Sequence, residues 1–496
     1  MIHWHSLDRA ARYYPERTAV ASGATRSTFR QLHDRVAGIA GWLRKQGMTA
    51  GDPLALLLPN EPEYIELVYA CAWLGVIAVP LNIRLSAGEI DRVLADASPR
   101  GLIRHSSMPV PTASLPWQRV IDEQPLSGDG SSSPEPIYDP EAVLSLIYTS
   151  GTTGRPKGVV LTHANVMANL NHVNYWLPYR EGGVYLHAAP IFHIADFPFM
   201  FAAPAFGATQ VTIPKFTPPS FCETVERERV THTVLVPTMI NLLTQSPELK
   251  AHDLGSLEVI GYGGSPMAPE LVHRTREALP GVELVQVYGL SETGFLTGLR
   301  NHEHTEARLV SCGRPCPGID LRVVDDSGKE VAIGRSGEIV TRGANVMGGY
   351  WNDPEESASA FRDGMFRTGD IGYQDAEGFV YIQDRLKDMI VSGGENVYSG
   401  EVEAVVQAHP AVREAAVFGI PDPQWGELVM ACVVLKAGHA LSAEDLVAHC
   451  RRSLAHYKVP RRIDFSDSDL PKSGSGKVLK RLLRERFWAG RERLVG

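Results

Sequence analysis

Residues 148–158 read Tyr148-Thr149-Ser150-Gly151-Thr152-Thr153-Gly154-Arg155-Pro156-Lys157-Gly158 and follow an apolar run, residues 143–147, that predicts a buried strand. The stretch combines hydroxyls, glycines and a lysine. Glycines let backbone N–H groups converge on one anion, and hydroxyl and ammonium groups complete its coordination. The composition therefore predicts a phosphate-binding loop at the end of a strand, against the alternative of a solvated Gly/Thr turn.

The stretch differs from the common nucleotide-binding loop G-x-x-x-x-G-K-[ST]. That pattern needs Ser or Thr directly after the lysine, whereas Gly158 follows Lys157 here.

The same stretch resembles the phosphate loop of the adenylate-forming superfamily, which includes acyl-CoA synthetases, nonribosomal peptide adenylation domains and firefly luciferase. The resemblance implies that the loop holds the β- and γ-phosphates of ATP and that Thr152 is catalytic. The other residues implied in ATP binding are Thr149, Ser150, Gly151, Thr153, Gly154 and Lys157.

Length and charge limit the function classes. A chain of 496 residues with 44% hydrophobic content predicts at least two domains. A formal charge of -9 gives no general attraction to nucleic acid or anionic lipid. Six scattered cysteines predict no disulfide framework, and the N-terminus carries no export signal. The longest apolar run is too short to span a bilayer. We therefore expect a soluble, cytoplasmic protein without nucleic-acid partners.

The apolar pattern upstream of the loop predicts a sheet covered by helices. Apolar residues recur at helical spacing from Leu7 to Leu43, with an amphipathic helix over Thr28–Leu43. Residues 53–79 then predict a strand, a helix and a strand in succession.

The segment Ile191-Phe192-His193-Ile194-Ala195-Asp196 follows another predicted strand. A lone histidine beside an apolar run is usually a core residue. The resemblance instead implies that His193, with Phe197 and Tyr262, lines the acyl pocket. Amino-acid-activating relatives carry an aspartate where this chain has His193, so an amino acid substrate would lack the counter-ion for its ammonium group and is disfavoured. Asp196, three residues later, weakens this exclusion and hints at a hydroxyl on the substrate.

Two glycine-containing motifs resemble the nucleotide site of the same superfamily. Residues 261–266, Gly-Tyr-Gly-Gly-Ser-Pro, are similar to its adenine-binding loop, where a bare turn is the alternative. Residues 284–294 predict a strand that ends in an aromatic residue and a carboxylate. Tyr288 is expected to stack on adenine, and Glu292, as a hard oxygen ligand, to hold Mg²⁺ together with Thr149. The other residues implied in nucleotide binding are Gly263, Gly264, Ser265, Gly289, Ser291 and Thr293.

The C-terminal part completes the pattern. Asp370 is expected to accept the ribose hydroxyls, and Arg385 to contact ribose or phosphate. Lys387 is expected to be a hinge between an N-terminal adenylation domain, residues 1–386, and a small α+β domain, residues 387–496. Lys477, on a Gly/Ser loop, matches the catalytic lysine of the superfamily. The backbone of Ser392, Gly393 and Gly394 is expected to line a tunnel for coenzyme A.

These motifs, in order, resemble acyl-CoA synthetases of the fatty-acid and coumarate or ferulate type. The implied fold is α/β, with a large domain of helix-covered sheets, a β-barrel-like subdomain and a small mobile C-terminal domain. The implied enzyme is an ATP-dependent acid–CoA ligase with Mg²⁺ as cofactor, acting on a small carboxylic acid as a monomer or homodimer. The alternatives are a ligase that loads a carrier protein's phosphopantetheine arm, and a nucleotide-binding scaffold without activity.

Overall fold

The computed structural model describes residues 4–126, 134–150, 156–392, 395–472 and 478–488. The strands are β1 (Thr18–Ser22), β2 (Thr25–Thr28), β3 (Pro53–Leu57), β4 (Ile77–Pro80), β5 (Gly101–Arg104), β6 (Gln118–Val120), β7 (Val143–Ser150), β8 (Pro156–Thr162), β9 (Val184–His187), β10 (Thr209–Thr212), β11 (His232–Leu235), β12 (Val259–Gly263), β13 (Glu283–Leu290), β14 (Gly294–Leu299), β15 (Arg314–Pro315), β16 (Asp320–Val324), β17 (Gly337–Arg342), β18 (Phe361–Arg362), β19 (Met365–Gln374), β20 (Val380–Arg385), β21 (Ile390–Ser392), β22 (Glu395–Val397), β23 (Val412–Asp422), β24 (Gly426–Leu435) and β25 (Arg462–Phe465).

The α-helices are α1 (Trp4–Tyr13), α2 (Phe29–Lys45), α3 (Pro62–Leu74), α4 (Ala87–Ala97), α5 (His163–Trp176), α6 (Phe199–Ala205), α7 (Pro218–Glu228), α8 (Pro237–Thr244), α9 (Glu248–Ala251), α10 (Pro269–Ala278), α11 (Pro354–Ser359), α12 (Ser399–Gln407), α13 (Ala443–Cys450) and α14 (Lys480–Trp488). Short 3-10 helices cover Asn301–Glu303, Glu306–Arg308 and His456–Lys458.

The chain divides into two compact units. The first contains Met1–Asp320 and Arg342–Phe366, and the second contains Leu321–Thr341 and Arg367–Gly496. The predicted domain boundary at Lys387 lies inside the second unit and stays a prediction.

Two large sheets build the first unit. One has nine strands in the order β15-β14-β13-β12-β11-β9-β10-β1-β2, and the other has six in the order β6-β5-β3-β4-β7-β8. In the nine-stranded sheet, β9, β11, β12 and β13 run parallel to one another, whereas β13 pairs antiparallel with β14. Helices cover both sheets through cores of buried aliphatic and aromatic residues. The mixed α/β fold class predicted from the sequence is confirmed.

Helix caps explain where α2 and α5 begin. Thr28 and Thr162 each accept a hydrogen bond at the side chain from the backbone three residues on, and Gln31 and Asn165 close the reciprocal bonds. Helix α2 therefore starts where the sequence predicts. The prediction of helical spacing from Leu7 to Leu43 was wrong in part, since the strands β1 and β2 interrupt this range.

Two further sheets have most of their strands in the second unit. The first has the order β16-β17-β19-β18 with β20 beside β19, and covers the region where we predicted a barrel-like subdomain. The second has the order β22-β21-β24-β23 with β25 beside β24. Helices α12 and α13 pack on it around Val402, Val406, Leu446 and Cys450. This matches the α+β pattern predicted for the end of the chain.

All six cysteines are free and buried, as their scattered positions predict. Across the described ranges, none of the helices combines the length and the apolar character needed to traverse a bilayer.

Candidate active site

The predicted phosphate loop is held between two paired strands. β7 and β8 are antiparallel, and Thr149 faces Lys157 while Ser150 faces Pro156. The five residues that join these strands, among them the predicted Gly151, Thr152, Thr153 and Gly154, lie outside the described residues. The strand pairing nevertheless fixes both ends of the loop and places Lys157 on its rim.

Gly158 is a glycine because its neighbours leave no room for a side chain. A Cβ at this position would lie 2.9 Å from the ring carbon Cζ of Tyr148 and 3.2 Å from Cβ of Trp351. Real Cβ atoms almost never approach other atoms this closely, so a Ser or Thr after Lys157 would require the Tyr148 ring to shift. Glycine fits this position without such a shift.

Lys157 contacts one acidic and one aromatic side chain. Its Nζ forms an ion pair with Oε1 of Glu356 on α11 and lies 5.2 Å from the ring centroid of Tyr350. The segment that carries Tyr350 runs beside β8, where the Trp351 amide donates to the Gly158 carbonyl at 2.7 Å. The ammonium is thus held by Glu356 and the Tyr350 ring at the start of β8.

Glu292, the predicted Mg²⁺ ligand, is positioned by the same segment. The hydroxyl of Tyr350 donates to Oε1 of Glu292 at 2.9 Å, and the Met347 amide donates to its carbonyl at 2.8 Å. Burial raises the pKa of the Tyr350 hydroxyl above its usual value, and the Glu292 carboxylate adds to this, so Tyr350 remains a donor. One tyrosine therefore lies between the lysine and the carboxylate of the site.

The turn after β13 is closed by its own polar groups. The Leu290 amide donates to the Thr293 hydroxyl at 3.1 Å, and Asn345 donates to the Thr293 carbonyl at 2.6 Å. Ser291 is half-buried between them. The roles predicted for Ser291 and Thr293 in nucleotide binding stay predictions.

The carboxylate of Glu292 fits a magnesium ion of the kind that ATP carries. Only its Oε1 is engaged by a partner within the described parts of the chain. No group of three His, Cys, Asp or Glu residues capable of holding a metal is found in those same parts. Mg²⁺ is typically held by one or two protein carboxylates together with substrate phosphates, and the residues present match that arrangement.

The predicted adenine-binding residues lie on adjacent parallel strands. Gly263, at the end of β12, is paired with Val287 of β13, directly before Tyr288 and Gly289. A Cβ on Gly263 would meet the Val287 carbonyl oxygen at 2.2 Å, so only glycine permits this strand spacing. Gly264 has a φ of +78°, which turns the chain toward Ser265. The carboxyl ends of parallel strands meet at one edge, where ligands of α/β sheets bind.

The predicted acyl-pocket residues follow strands of the same sheet. His193 lies after β9 and is half-buried, whereas Phe197 is fully buried. Tyr262 lies on β12, and its hydroxyl hydrogen bonds to Nε2 of His304 at 2.8 Å. Because Nδ1 of His304 donates to the Arg300 carbonyl at 2.8 Å, Nε2 is the acceptor in the neutral ring. Burial lowers the pKa of His304 to about 4, in agreement with a neutral ring.

Asp196 does not serve the substrate, contrary to the hint from its position in the sequence. It is fully buried, and Tyr185 donates to its Oδ1 at 2.5 Å. His187 contacts its Oδ2 through Nδ1 at 2.6 Å and Gln210 through Nε2 at 3.0 Å. Asn60 ties the same region to the backbone, since its Oδ1 accepts from the Ile191 amide at 2.9 Å. Asp196 is therefore part of the scaffold that supports the His193 loop.

In the second unit, the predicted ribose ligand and its basic neighbour form a pair. Asp370 on β19 lies opposite Arg385 on β20, and Nε of Arg385 is 2.6 Å from Oδ1 of Asp370. The carboxylate is buried, and the guanidinium is half-buried. Their roles toward ribose stay predictions.

Among the remaining predicted residues, the structure describes Lys387 and Ser392. Lys387 is exposed, and its carbonyl accepts from Arg484 of α14 at 3.3 Å. Ser392 is buried at the end of β21, where the preceding Val391 amide donates to Glu427 at 3.0 Å. Gly393, Gly394 and Lys477 lie outside the described residues.

Sequence reasoning missed two members of the site, Tyr350 and Glu356. Tyr350 is 58 positions from Glu292 and Glu356 is 199 positions from Lys157 along the chain. One sequence signal could have identified Tyr350. It follows two glycines in residues 347–351, Met-Gly-Gly-Tyr-Trp, which is typical of a turn followed by an aromatic residue.

Comparisons with known proteins agree with this geometry. Residues 7–351 match the family model described as AMP-binding enzyme, and residues 401–477 match the AMP-binding enzyme C-terminal domain. A feruloyl-CoA synthase of Amycolatopsis sp is 40% identical over 97% of this chain and 98% of that protein. A fatty acid–[acyl-carrier-protein] ligase of Streptomyces coeruleorubidus is 35% identical over 98% and 96%. The structure of o-succinylbenzoate coenzyme A synthetase from Bacillus subtilis, in complex with ATP and magnesium, superimposes with a TM-score of 0.86 at 32% identity, covering 97% and 99% of the two chains.

Proposed function

Since this chain belongs to the AMP-binding enzyme family and is an ATP-dependent acid–thiol ligase, we propose that it joins an apolar fatty or aromatic acid to coenzyme A. The reaction has two steps at one site. An acyl-adenylate forms first, and the thiol then replaces AMP.

The contact chain from Lys157 through Tyr350 to Glu292 is the observation that carries this proposal. In the first step, a carboxylate oxygen of the acid bonds to the α-phosphorus of ATP. The bond from that phosphorus to the bridging oxygen breaks, and pyrophosphate leaves with the electron pair. Lys157 neutralises charge on the departing phosphates, and Lys477 bridges the α-phosphate and the carboxylate.

Glu292, with Thr149 or Thr152, holds Mg²⁺, which neutralises phosphate charge when bound. Tyr350 orients that carboxylate by its hydrogen bond to Oε1. Tyr288 and the backbone of Gly263, Gly264 and Ser265 receive the adenine. Asp370 accepts the ribose hydroxyls, with Arg385 beside it.

In the second step, the small domain turns about Lys387 and Lys477 withdraws. The thiol of coenzyme A enters beside Ser392, Gly393 and Gly394 and attacks the acyl carbonyl. The carbon–sulfur bond forms, the bond from the acyl carbon to the phosphate oxygen breaks, and AMP leaves while the thiol proton is released to solvent. Glu427 supports this segment because it holds the Val391 amide.

The substrate is an acid without an amino group. Phe197 is buried against Phe201, and the one donor of Tyr262 is occupied by His304, so both residues offer apolar ring surface. Asp196 is bound to Tyr185 and His187, which leaves it unable to pair with a substrate ammonium. A fatty chain or an aromatic ring suits these walls better than an amino acid does.

A screen of pyrophosphate release over carboxylic acids of varied length and aromaticity tests the first step. The product formed with coenzyme A, or with a phosphopantetheinylated carrier protein, is then identified by its mass. We expect release with apolar acids and an acyl-CoA product. Release with amino acids alone would contradict the proposed substrate class, and acylation of the carrier protein alone would favour the carrier-protein ligase.

A further inference from the structure

We propose that Asp384 is a positioning residue, and that Ser399 and Lys480 hold its carboxylate so that the pivot at Lys387 stays in one of its two poses. The inference rests on the proposed two-step function and deepens it. It concerns the balance between the two half-reactions rather than the chemistry of either.

Asp384 caps a helix that begins beyond the pivot. It lies on β20, and its Oδ1 accepts from the Ser399 hydroxyl at 2.9 Å while its Oδ2 accepts from the Ser399 amide. Ser399 is the first residue of α12, and a carboxylate at a helix N-terminus is favourable. Asp384 is 8% exposed and Ser399 is fully buried, so water competes little for these bonds.

Lys480 supplies the cation behind this cap. Its Nζ donates to the Ser399 hydroxyl at 2.6 Å and lies 2.9 Å from Oε1 of Glu403. The same Glu403 oxygen accepts from the Val417 amide at 2.7 Å. Burial works against the charged form of Lys480, but the carboxylates of Glu403 and Asp384 outweigh it and raise its pKa. The ammonium therefore donates to the hydroxyl, and the hydroxyl donates to the Asp384 carboxylate.

The order of these residues along the chain makes the contact specific to one pose. Ser399, Glu403 and Lys480 all follow Lys387, whereas Asp384 precedes it. A rotation about Lys387 keeps the first three together and carries Asp384 away from them. They thus form a preformed receptor for a single carboxylate, and only one pose fills it.

The receptor biases the pivot because a buried helix N-terminus without its capping carboxylate is unfavourable. When Asp384 leaves, Lys480 retains Glu403, but the N-terminus of α12 loses its carboxylate. A second tie lies at the pivot itself, where Arg484 of α14 donates to the Lys387 carbonyl at 3.3 Å. The cost of leaving this pose falls on one half-reaction and not on the other.

The test measures the two half-reactions separately in the full-length enzyme. Single-turnover pyrophosphate release reports the first, and thioester formation from a supplied acyl-adenylate reports the second. For Asp384→Asn and Ser399→Ala, we expect the ratio of the two rate constants to change about tenfold, in the same direction in both variants. Lys480→Arg keeps the cation and is expected to stay near the wild-type ratio. Arg481→Gln removes an exposed charge of the same helix, paired with Glu485, and serves as the matched control.

Trypsin cleavage after Arg385 and Lys387 gives a readout that needs no activity. Cleavage is expected to be faster in Asp384→Asn and Ser399→Ala than in the wild type or in Arg481→Gln. An unchanged cleavage rate would overturn the proposal. Equal decreases in the rate constants of the two half-reactions would also overturn it, because a purely structural role of Asp384 predicts equal decreases. If the wild type releases no pyrophosphate with any acid, the proposed function fails, and the cleavage rates still decide whether Asp384 restrains the pivot.

Discussion

The hydroxyl of Tyr350 donates a 2.9 Å hydrogen bond to Oε1 of Glu292, and its ring lies 5.2 Å from Nζ of Lys157. The predicted magnesium ligand and the predicted phosphate ligand are therefore aligned by one aromatic side chain. This arrangement leads to a first prediction.

Tyr350→Phe keeps the ring and removes the hydrogen bond to Glu292. A bond from a hydroxyl to a carboxylate contributes about 1.5–3 kcal/mol, so we expect adenylate formation to slow by about tenfold or more. We also expect a higher Mg²⁺ concentration at half-maximal rate, measured by pyrophosphate release. Tyr381→Phe is a matched control, because the hydroxyl of Tyr381 likewise donates to a carboxylate, that of Asp375, at 3.1 Å. An unchanged Mg²⁺ dependence would refute the role of Tyr350.

Lys157 and Glu356 give a second prediction. Lys157→Ala removes the proposed phosphate ligand and is expected to raise KM for ATP at least tenfold. Glu356→Gln removes the carboxylate that pairs with Lys157. Since the ammonium can then still bind the phosphates of ATP, we expect that KM for ATP does not rise. Steady-state kinetics at varied ATP measure both. A similar loss in the two variants would mean that the ion pair itself, and not the lysine, serves the nucleotide.

Lys477→Ala is expected to abolish adenylate formation and to spare thioester formation from a supplied acyl-adenylate. In the proposed mechanism the lysine acts only where the carboxylate and the α-phosphate meet. Lys472→Ala, five positions earlier in the sequence, removes an amine that pairs with Glu414 at 2.8 Å and is the control. Pyrophosphate release at the wild-type rate in Lys477→Ala would end the assignment.

The buried histidine beside Tyr262 predicts a loss of stability in acid. In the unfolded chain a histidine titrates near 6.5, while burial lowers the pKa of His304 to about 4. Between pH 4 and pH 6.5 the unfolded state binds more protons than the folded state. The stabilisation that comes from the neutral His304 ring is therefore complete above pH 6.5 and is lost as the pH falls toward 4.

His304→Gln is expected to reduce this acid sensitivity. Between pH 7.5 and 5.0, the decrease in the free energy of unfolding should be smaller by about 2 kcal/mol than in the wild type, as measured by urea titration. The exposed His439→Gln is expected to behave like the wild type. An equal decrease in both variants would show that His304 does not carry the effect.

Local patterns predicted the elements well where a cap or a strand end is encoded in neighbouring residues. Thr28 and Thr162 open helices, and the residues after β12 and β13 meet because adjacent parallel strands end at one edge. The sequence did not reveal contacts between distant residues, such as Glu356 with Lys157 or Asn60 with Ile191. It also misread Asp196, whose carboxylate is bound by Tyr185 and His187 of β9.

The six buried cysteines affect whether the enzyme's own thiols can react with its thiol substrate, coenzyme A. Burial raises the pKa of Cys222 and Cys450 to about 11 and that of Cys316 to about 12, so these thiols are almost never thiolates near neutral pH. A protein that must admit a reactive sulfhydryl compound at high concentration would otherwise risk capturing it as a mixed disulfide. Because its own sulfur atoms are buried and those of Cys222, Cys316 and Cys450 stay protonated, we expect the enzyme to form few such disulfides with its thiol acceptor.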